Sequence, residues 1–141
     1  MAISQAITVS FKQDLMSPGG NLEAQTLKCA LYTNAATLDQ NTAAYITGNE
    51  VSNSGTNYTT GGATLTNVAI STDGTTAIFD CDNVSFANAT ISAQAALLYN
   101  ANNSNSSIAV LDFGGVKTST NGTFELQFPN ADATNGLIRI A

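Results

Sequence analysis

The chain has 141 residues, of which 4 are basic, 10 are acidic and none is histidine, so its formal net charge is −6. A chain without histidine cannot carry a Ser-His-Asp triad or a zinc site with histidine ligands. Its acidity and its few cations make it a poor match for nucleic acid or an anionic membrane. The length favours a single domain over residues 1–141, and an apolar fraction of 43% is enough for a sizeable core.

Neutral polar residues replace charges on the surface of this protein. The chain contains 16 Asn, 12 Ser and 19 Thr, a third of all residues, whereas only 10% of its residues are charged. Hydroxyl and amide groups must therefore do most of the solvation. Such a surface packs against a neighbour without the cost of desolvating charges. The composition thus favours a protein that works within an assembly.

The N-terminal segment alternates between apolar and polar residues, which is typical of a strand with one buried side. This pattern predicts a first strand over Ile7–Phe11, which ends before the chain break at Pro18-Gly19-Gly20. Residues 1–20 would then form a peripheral arm or an edge strand. Such a strand could pair with a neighbouring chain by β-augmentation.

A second strand follows, with Leu27, Cys29 and Leu31 on one face and Lys28 and Tyr32 on the other. The Ala-rich stretch Thr42–Ile46 is ambiguous and could form one or two helical turns. Residues 52–62 have the composition of a turn throughout, so we expect an ordered loop there.

The middle of the chain returns to strand patterns. Leu65–Ile70 and Thr76–Cys81 read as two strands joined by a hairpin turn at Asp73-Gly74. The apolar phase then shifts by one residue at Asp82-Asn83, which indicates a bulge or tight turn. A longer strand is predicted next, with these residues sharing one inner face: Ala89, Ile91, Ala93, Ala95, Leu97 and Tyr99.

The last third begins with an exposed polar loop at residues 100–107. Turns at Gly114-Gly115 and Asn121-Gly122 separate the predicted strands, which are Ile108–Phe113, Thr123–Phe128 and Leu137–Ile140. Altogether the pattern predicts an all-β, single-domain antiparallel β-sandwich or jelly-roll-like barrel of eight or nine short strands.

Two cysteines are too few for a disulfide framework. Cys29 and Cys81 both lie in apolar strand-like runs, where free cysteine behaves as a small buried hydrophobe. That interpretation is favoured, and a Cys29–Cys81 bridge between strands is the alternative.

Asp80 and Asp82 form the one close pair of carboxylates that could hold a metal ion. Residues two apart in an extended strand share a face, so both could reach one calcium ion. No EF-hand pattern surrounds them, and solvated acids at a strand end are the favoured interpretation. We therefore predict no metal site and no cofactor, and keep this pair as the weak candidate.

Catalytic groups are not evident in the sequence. Asp39, Glu50 and Asp112 are isolated from one another, and Glu125 falls on the outer face of a predicted strand. The four tyrosines are too dispersed to predict a carbohydrate-stacking platform, and packing in the core or at its rim is favoured. The prediction is a protein that is not an enzyme.

Targeting signals are equally scarce. The sequence has no apolar run long enough to span a membrane and no basic, apolar secretory signal at its start. We therefore expect synthesis in the cytoplasm of a host cell, without export by the usual route.

Several segments of the sequence together resemble a family of small structural proteins of tailed-bacteriophage virions. The resemblance covers roughly residues 25–141, and its most distinctive parts are Glu50–Leu65 and Asp112-Phe113-Gly114 leading to Thr123-Phe124. It implies a non-enzymatic component of the phage particle. Such proteins include capsid decoration, or cement, proteins and also components of the tail.

Among these, a head decoration protein is the favoured function. It would bind the major capsid protein and sister subunits, as a homo-oligomer or within the capsid lattice, and stabilise the shell. The alternative is a tail- or fibre-associated protein that contacts the host through the loops 52–62 and 100–107.

Overall fold

A computed structural model describes residues 2–16 and 21–141. Within them the chain forms eight strands, one α-helix, and a short 3-10 turn at Leu22–Ala24. The elements in chain order are β1 (Ala6–Ile7), α1 (Val9–Leu15), β2 (Leu27–Tyr32), β3 (Ala63–Thr64), β4 (Ala69–Asp73), β5 (Thr76–Asp80), β6 (Val84–Asn100), β7 (Ser106–Leu126) and β8 (Ile138–Ile140).

The strands make two antiparallel sheets, which confirms the all-β sandwich. The larger sheet has the order β1-β7-β6-β2-β3, and the smaller has the order β4-β5-β8. Both sheets are open at their edges. The principal core lies between them and includes Leu27, Leu31, Phe79, Ile91 and Leu98. The predicted phase shift at Asp82-Asn83 falls where the chain passes from the smaller sheet to the larger one.

β6 extends the long strand predicted there, and β7 replaces two predicted short strands with one continuous strand. They contain 17 and 21 residues and are joined by the exposed turn 101–105, inside the predicted loop. Gly114-Gly115 and Asn121-Gly122 are irregularities within β7 and not turns between strands, because β6 continues to pair with β7 on both sides of them. Gly114 and Asn121 have positive φ values of 77° and 46°, which accommodate these irregularities.

A register shift between Ala93 and Ala95 moves the inward side of β6 from one face to the other. Ala89, Ile91 and Ala93 therefore pack in the principal core, whereas Ala95 and its alternate neighbours pack in a second core on the opposite face. The prediction of one continuous inner face was wrong. The irregular pairing reverses which face alternate residues point to, but the apolar residues still fall at every second position of the sequence.

The second core is covered by irregular chain from residues 36–45 and by the N-terminal segment. It contains Tyr32, Leu38, Leu97, Tyr99 and Val110. Half of the large sheet is thus buried on both faces, and β2 shows this directly because five of its six residues are buried. The predicted division of Leu27, Cys29 and Leu31 from Tyr32 is confirmed.

The N-terminal strand prediction was largely wrong. β1 contains only Ala6–Ile7 and pairs with Val110 and Ala109 at the edge of the large sheet. Thr8 then caps α1, since its Oγ1 accepts a hydrogen bond of 3.3 Å from the Phe11 N–H. Capping by a buried threonine outweighs the alternating pattern. The predicted break at Pro18-Gly19-Gly20 lies outside the described residues.

Two other local predictions had different outcomes. The stretch Thr42–Ile46 forms no helix, and Ala44 bridges to Ser106 in an extended conformation. The hairpin at Asp73-Gly74 is confirmed, with Asp73 paired to Thr76 and Gly74 at φ 61°. The turn joins β4 to β5. β4 begins at Ala69, whereas the predicted strand begins at Leu65.

Gly62 provides a test of how closely the irregular segment packs on β2. A Cβ atom at Gly62 would lie 1.8 Å from the Cys29 carbonyl oxygen, and φ there is 80°. We expect Gly62→Ala to lower the free energy of unfolding by about 3 kcal/mol or more, because rigid backbone must move. Urea denaturation measures this change.

Gly55→Ala is the matched control for that substitution. Gly55 also has a positive φ, 71°, but a Cβ there would meet nothing within 4 Å. Its cost should be only that of the backbone conformation, about 1 kcal/mol. Equal losses in the two variants would contradict the close packing of Gly62.

Candidate functional site

A group of polar side chains surrounds Glu50. Its carboxylate accepts three hydrogen bonds of 2.7 Å each, from the Tyr45 hydroxyl to Oε1 and from the Tyr58 hydroxyl and the Gly61 N–H to Oε2. Hydrogen bonds to a charged acceptor are stronger than neutral ones. We call Glu50, Tyr45, Tyr58 and Gly61 the carboxylate clamp.

The clamp is connected to strands β2 and β6. The Tyr58 hydroxyl accepts a hydrogen bond of 2.9 Å from the Leu31 N–H. The Tyr99 hydroxyl donates one of 2.7 Å to the Gly61 carbonyl, and its ring stacks on Tyr45 with centroids 4.7 Å apart. The clamp thus attaches the irregular segment to the large sheet.

The fourth tyrosine belongs to the same region. Tyr32 forms a bridge with Glu50 on the backbone, and its hydroxyl donates a hydrogen bond of 2.6 Å to the Ile46 carbonyl. All four tyrosines of the chain therefore meet around one carboxylate. Their dispersal in sequence gave no indication of this, although packing near the core was the favoured expectation.

Burial and charge act on these tyrosines in the same direction. Burial, with a smaller contribution from the nearby Glu50 carboxylate, raises the pKa of Tyr99 to about 12. The pKa values of Tyr32, Tyr45 and Tyr58 are also raised, in each case first by burial. Each hydroxyl therefore stays protonated and remains a donor.

The clamp is suited to holding structure together. Both oxygens of Glu50 already accept hydrogen bonds, and each of the four tyrosine hydroxyls donates or accepts within the protein. These contacts order residues 45–61, a length of irregular chain that would otherwise be costly to fix. We therefore assign the clamp a positioning role.

The carboxylate pair Asp80 and Asp82 is placed at the end of β5. Asp82 Oδ2 accepts hydrogen bonds from Asn67 Nδ2 at 2.6 Å and from Thr66 Oγ1 at 3.3 Å. Within the described residues, no group of three or more His, Cys, Asp or Glu could hold a metal ion. Asp82 instead links the segment before β4 to the start of β6.

The two cysteines are free and buried, as the favoured interpretation predicts. Both lie in the principal core. Burial raises the pKa of each thiol to about 12, with the other thiol contributing at Cys29 and neighbouring carboxylates at Cys81. They are therefore protonated, unreactive core residues at neutral pH.

The remaining carboxylates do not assemble with Glu50. Asp39 accepts from the Asn41 N–H, and Asp112 accepts from the Gly114 N–H, so each shapes its own turn. Glu125 is exposed, as predicted, and accepts hydrogen bonds from Ser85 and Gln127. Those hydrogen bonds hold the pKa of Glu125 below its usual value.

A groove of about 780 Å³ opens between the part of β7 that lies beyond its pairing with β1 and the edge strand β8 of the smaller sheet. One wall is β7, with Lys117 and Phe124, and the other is formed by β8 and the segment that leads into it, with Arg139 and Leu137. We call this the edge groove. The spacing of these residues in sequence gave no sign that they would meet.

The outer side of the β6–β7 ribbon beyond the register shift is almost uncharged. Buried and exposed residues alternate along β6 from Val84 to Ala93, so one side faces solvent. Its exposed hydroxyl residues, which we call the hydroxyl face, are Ser85, Thr90, Ser92, Thr118, Thr120 and Thr123. The carboxylate of Glu125 lies beside Ser85.

The fold and these surfaces define the chain as an all-β sandwich protein with a structural carboxylate clamp and an open sheet edge. No protein-family model, curated protein or solved structure matches this sequence or fold. In the described residues, no helix has both the length and the apolar character needed to cross a membrane.

Removing the Glu50 carboxylate should destabilise the protein. Glu50→Ala leaves the Tyr58 hydroxyl and the Gly61 N–H without their acceptor, at a cost of about 3 kcal/mol in the free energy of unfolding. Glu125→Ala is the control, because it removes an exposed carboxylate with two hydrogen bonds and should leave the free energy of unfolding nearly unchanged. Similar losses in urea denaturation would contradict the clamp.

The tyrosines supply a second test, because all four have raised pKa values. The folded state holds their protons more tightly than the unfolded state, where tyrosine has a pKa of about 10. Their contribution to stability is therefore complete below about pH 10 and is lost as the pH rises through the folded-state values.

Ultraviolet titration of tyrosinate in the folded chain should show no ionisation near pH 10. The same titration in guanidinium chloride should show all four tyrosines ionising near that pH. A folded protein in which any tyrosine titrates normally would contradict the arrangement around Glu50.

Proposed function

We propose that this chain is a structural protein of a tailed-bacteriophage virion, and specifically a head decoration protein that binds the major capsid protein. It acts from the outside of the shell, alongside sister subunits, and stabilises the capsid. The observation that carries the proposal is the low-charge, hydroxyl-covered face of a well-ordered sandwich, beside an open sheet edge.

The resemblance of residues 25–141 to small phage structural proteins supports this class of function. Two of the sequence segments that carry the resemblance coincide with structural features. Glu50–Leu65 contains the carboxylate clamp's Glu50, Tyr58 and Gly61, and Asp112-Phe113-Gly114 begins the irregularity in β7. Both segments therefore have a structural role in this fold.

The surface supports contact with many equivalent subunits. Hydroxyl groups on the hydroxyl face can exchange hydrogen bonds with water for hydrogen bonds with a neighbour, and burying them costs less than burying charges. A lattice presents the same contact many times, so each copy needs only an interface of modest size. Few charges on this face also limit repulsion between neighbouring acidic copies.

The clamp supports a protein that is fully folded before it binds. It holds residues 45–61 against strands β2 and β6 of the large sheet, so the other surfaces are presented without further ordering. Preorganisation of this kind lowers the entropic cost of binding. A subunit that binds to an assembled shell benefits from this lower entropic cost.

The number of copies per virion tests the proposal. In purified particles of the phage that encodes the chain, we expect hundreds of copies, in a fixed ratio to the major capsid protein. Quantitative mass spectrometry of the virion measures this ratio, with known head and tail proteins as internal standards.

Two results would overturn the proposal. A few to dozens of copies, in proportion to tail proteins, would identify a tail component instead. Absence of the chain from purified virions would exclude a structural protein of the particle.

A further inference from the structure

We propose that the Glu23 carboxylate guards the edge strand β4 and thereby keeps two copies of this chain from pairing β4 to β4. Without this carboxylate, the smaller sheets of two copies would join edge to edge across a twofold axis. The inference is independent of the proposed function. It is carried by an exposed, regular edge strand and by a hydrogen bond that occupies one of its outward backbone groups.

β4 is the longest of the four outermost strands of the two sheets in the described residues. It has five residues, whereas β1 and β3 have two each and β8 has three. All five residues of β4 are exposed, and its pairing with β5 is continuous. Its central residues, Ile70, Ser71 and Thr72, carry no charge. Long exposed edges without charged side chains favour pairing with another chain, so this strand needs protection.

The turn after β4 determines which of its backbone groups point outward. Asp73 and Thr76 flank a two-residue turn, so they form a hydrogen-bonded pair in the hairpin. Hydrogen-bonded and non-hydrogen-bonded pairs alternate along antiparallel strands. The N–H and carbonyl groups of Ile70 and Thr72 therefore point away from β5. The hydrogen bond that the Ile70 N–H donates to Glu23 agrees with this alternation.

These outward groups match a second copy of β4. In an antiparallel pair centred on Ser71, Ile70 of each copy would lie opposite Thr72 of the other and exchange two hydrogen bonds with it, four in all. Ile70 would also gain a β-branched cross-strand neighbour. Asp73 would lie opposite Ala69, away from the same carboxylate of the other copy. The strand is therefore complementary to itself, as a twofold interface requires.

Glu23 obstructs this pairing because it already uses one of the outward groups. Its Oε1 accepts a hydrogen bond of 2.7 Å from the Ile70 N–H. The same bond forms in both copies, so a β4–β4 pair would lose two of its four hydrogen bonds or displace both carboxylates. Displacing them would break two charge-assisted hydrogen bonds. A charged side chain at a sheet edge discourages strand addition in this way.

The 3-10 turn holds Glu23 beside β4. Leu22 is buried in the principal core, whereas its neighbour Glu23 is exposed. The turn is closed by two backbone hydrogen bonds of 3.2 Å, from the Ala24 N–H to the Asn21 carbonyl and from the Gln25 N–H to the Leu22 carbonyl. The backbone that carries the carboxylate is therefore anchored in the core, which lowers the entropic cost of placing it at the edge.

Analytical ultracentrifugation of the full chain over a series of concentrations tests the guard. We expect Glu23→Ala to lower the dissociation constant of the dimer by about tenfold or more, because it frees two backbone donors for hydrogen bonds between copies. Glu23 is exposed, so the substitution leaves the core intact. Glu125→Ala is the matched control, since it removes one exposed carboxylate outside the smaller sheet, and it should change the constant by less than about twofold.

Two further measurements show whether the Glu23→Ala dimer uses β4. Adding Thr72→Pro removes an outward N–H and obstructs an added strand, and an edge strand tolerates proline at such a position. We expect this double variant to return to the wild-type dissociation constant. In the Glu23→Ala dimer, the Thr72 amide should exchange its hydrogen about tenfold more slowly than in the monomer. The exchange measurement needs no second substitution, so it remains decisive if the double variant fails to fold.

Three results would overturn the inference. The first is unchanged self-association of a folded Glu23→Ala chain. The second is a dimer that leaves the Thr72 amide unprotected or that a folded double variant still forms, because another surface would then hold it together. The third is an equal increase for Glu125→Ala, which would indicate a general effect of net charge. None of these results bears on the proposed function, which the copy number in the virion tests separately.

Discussion

The hydrogen bonds to the Glu50 carboxylate are the interaction on which the rest of the structure depends. Three donors meet its two oxygens, and these donors come from residues 45–61 of the irregular chain. A partly buried network is stable when its groups are satisfied, and Tyr58 and Tyr99 extend this one to the backbone of β2 and to Gly61. Residues 45–61 are therefore held in a fixed position although they form no helix and no extended strand.

That fixed segment divides the molecule into two parts. Beside it, the large sheet is covered on both faces, and Tyr32, Leu97 and Tyr99 belong to a second core. Beyond the register shift at Ala93, one face is open and carries hydroxyl groups. The clamped segment covers only part of the large sheet. The face beyond that part is the one that remains available to a partner.

The sequence predicted the class of fold because alternation of apolar residues is a local signal. It placed Leu27, Cys29 and Leu31 on the correct side, and it located the Asp73-Gly74 turn. It could not locate the register shift at Ala93, because the change of face depends on how β7 pairs with β6. The sequence also could not group the tyrosines around Glu50, since the contact between Tyr45 and Tyr99 spans 54 residues.

The high asparagine content also has a structural explanation that composition alone did not provide. Six asparagines adopt positive φ, and two of these, Asn88 and Asn121, lie within the paired strands β6 and β7. Asparagine tolerates that conformation better than most residues. Part of the polar composition therefore supports the bends and irregularities that shape the open edge.

The central proposal is that this sandwich is a head decoration protein that contacts the capsid through its hydroxyl face. A cryo-electron microscopy reconstruction of the virion tests it most directly. The account expects density for the sandwich on the outer capsid surface, with the hydroxyl face in contact with a neighbouring subunit. A sandwich located in the tail, or one on the head whose hydroxyl face is turned to solvent, would contradict it.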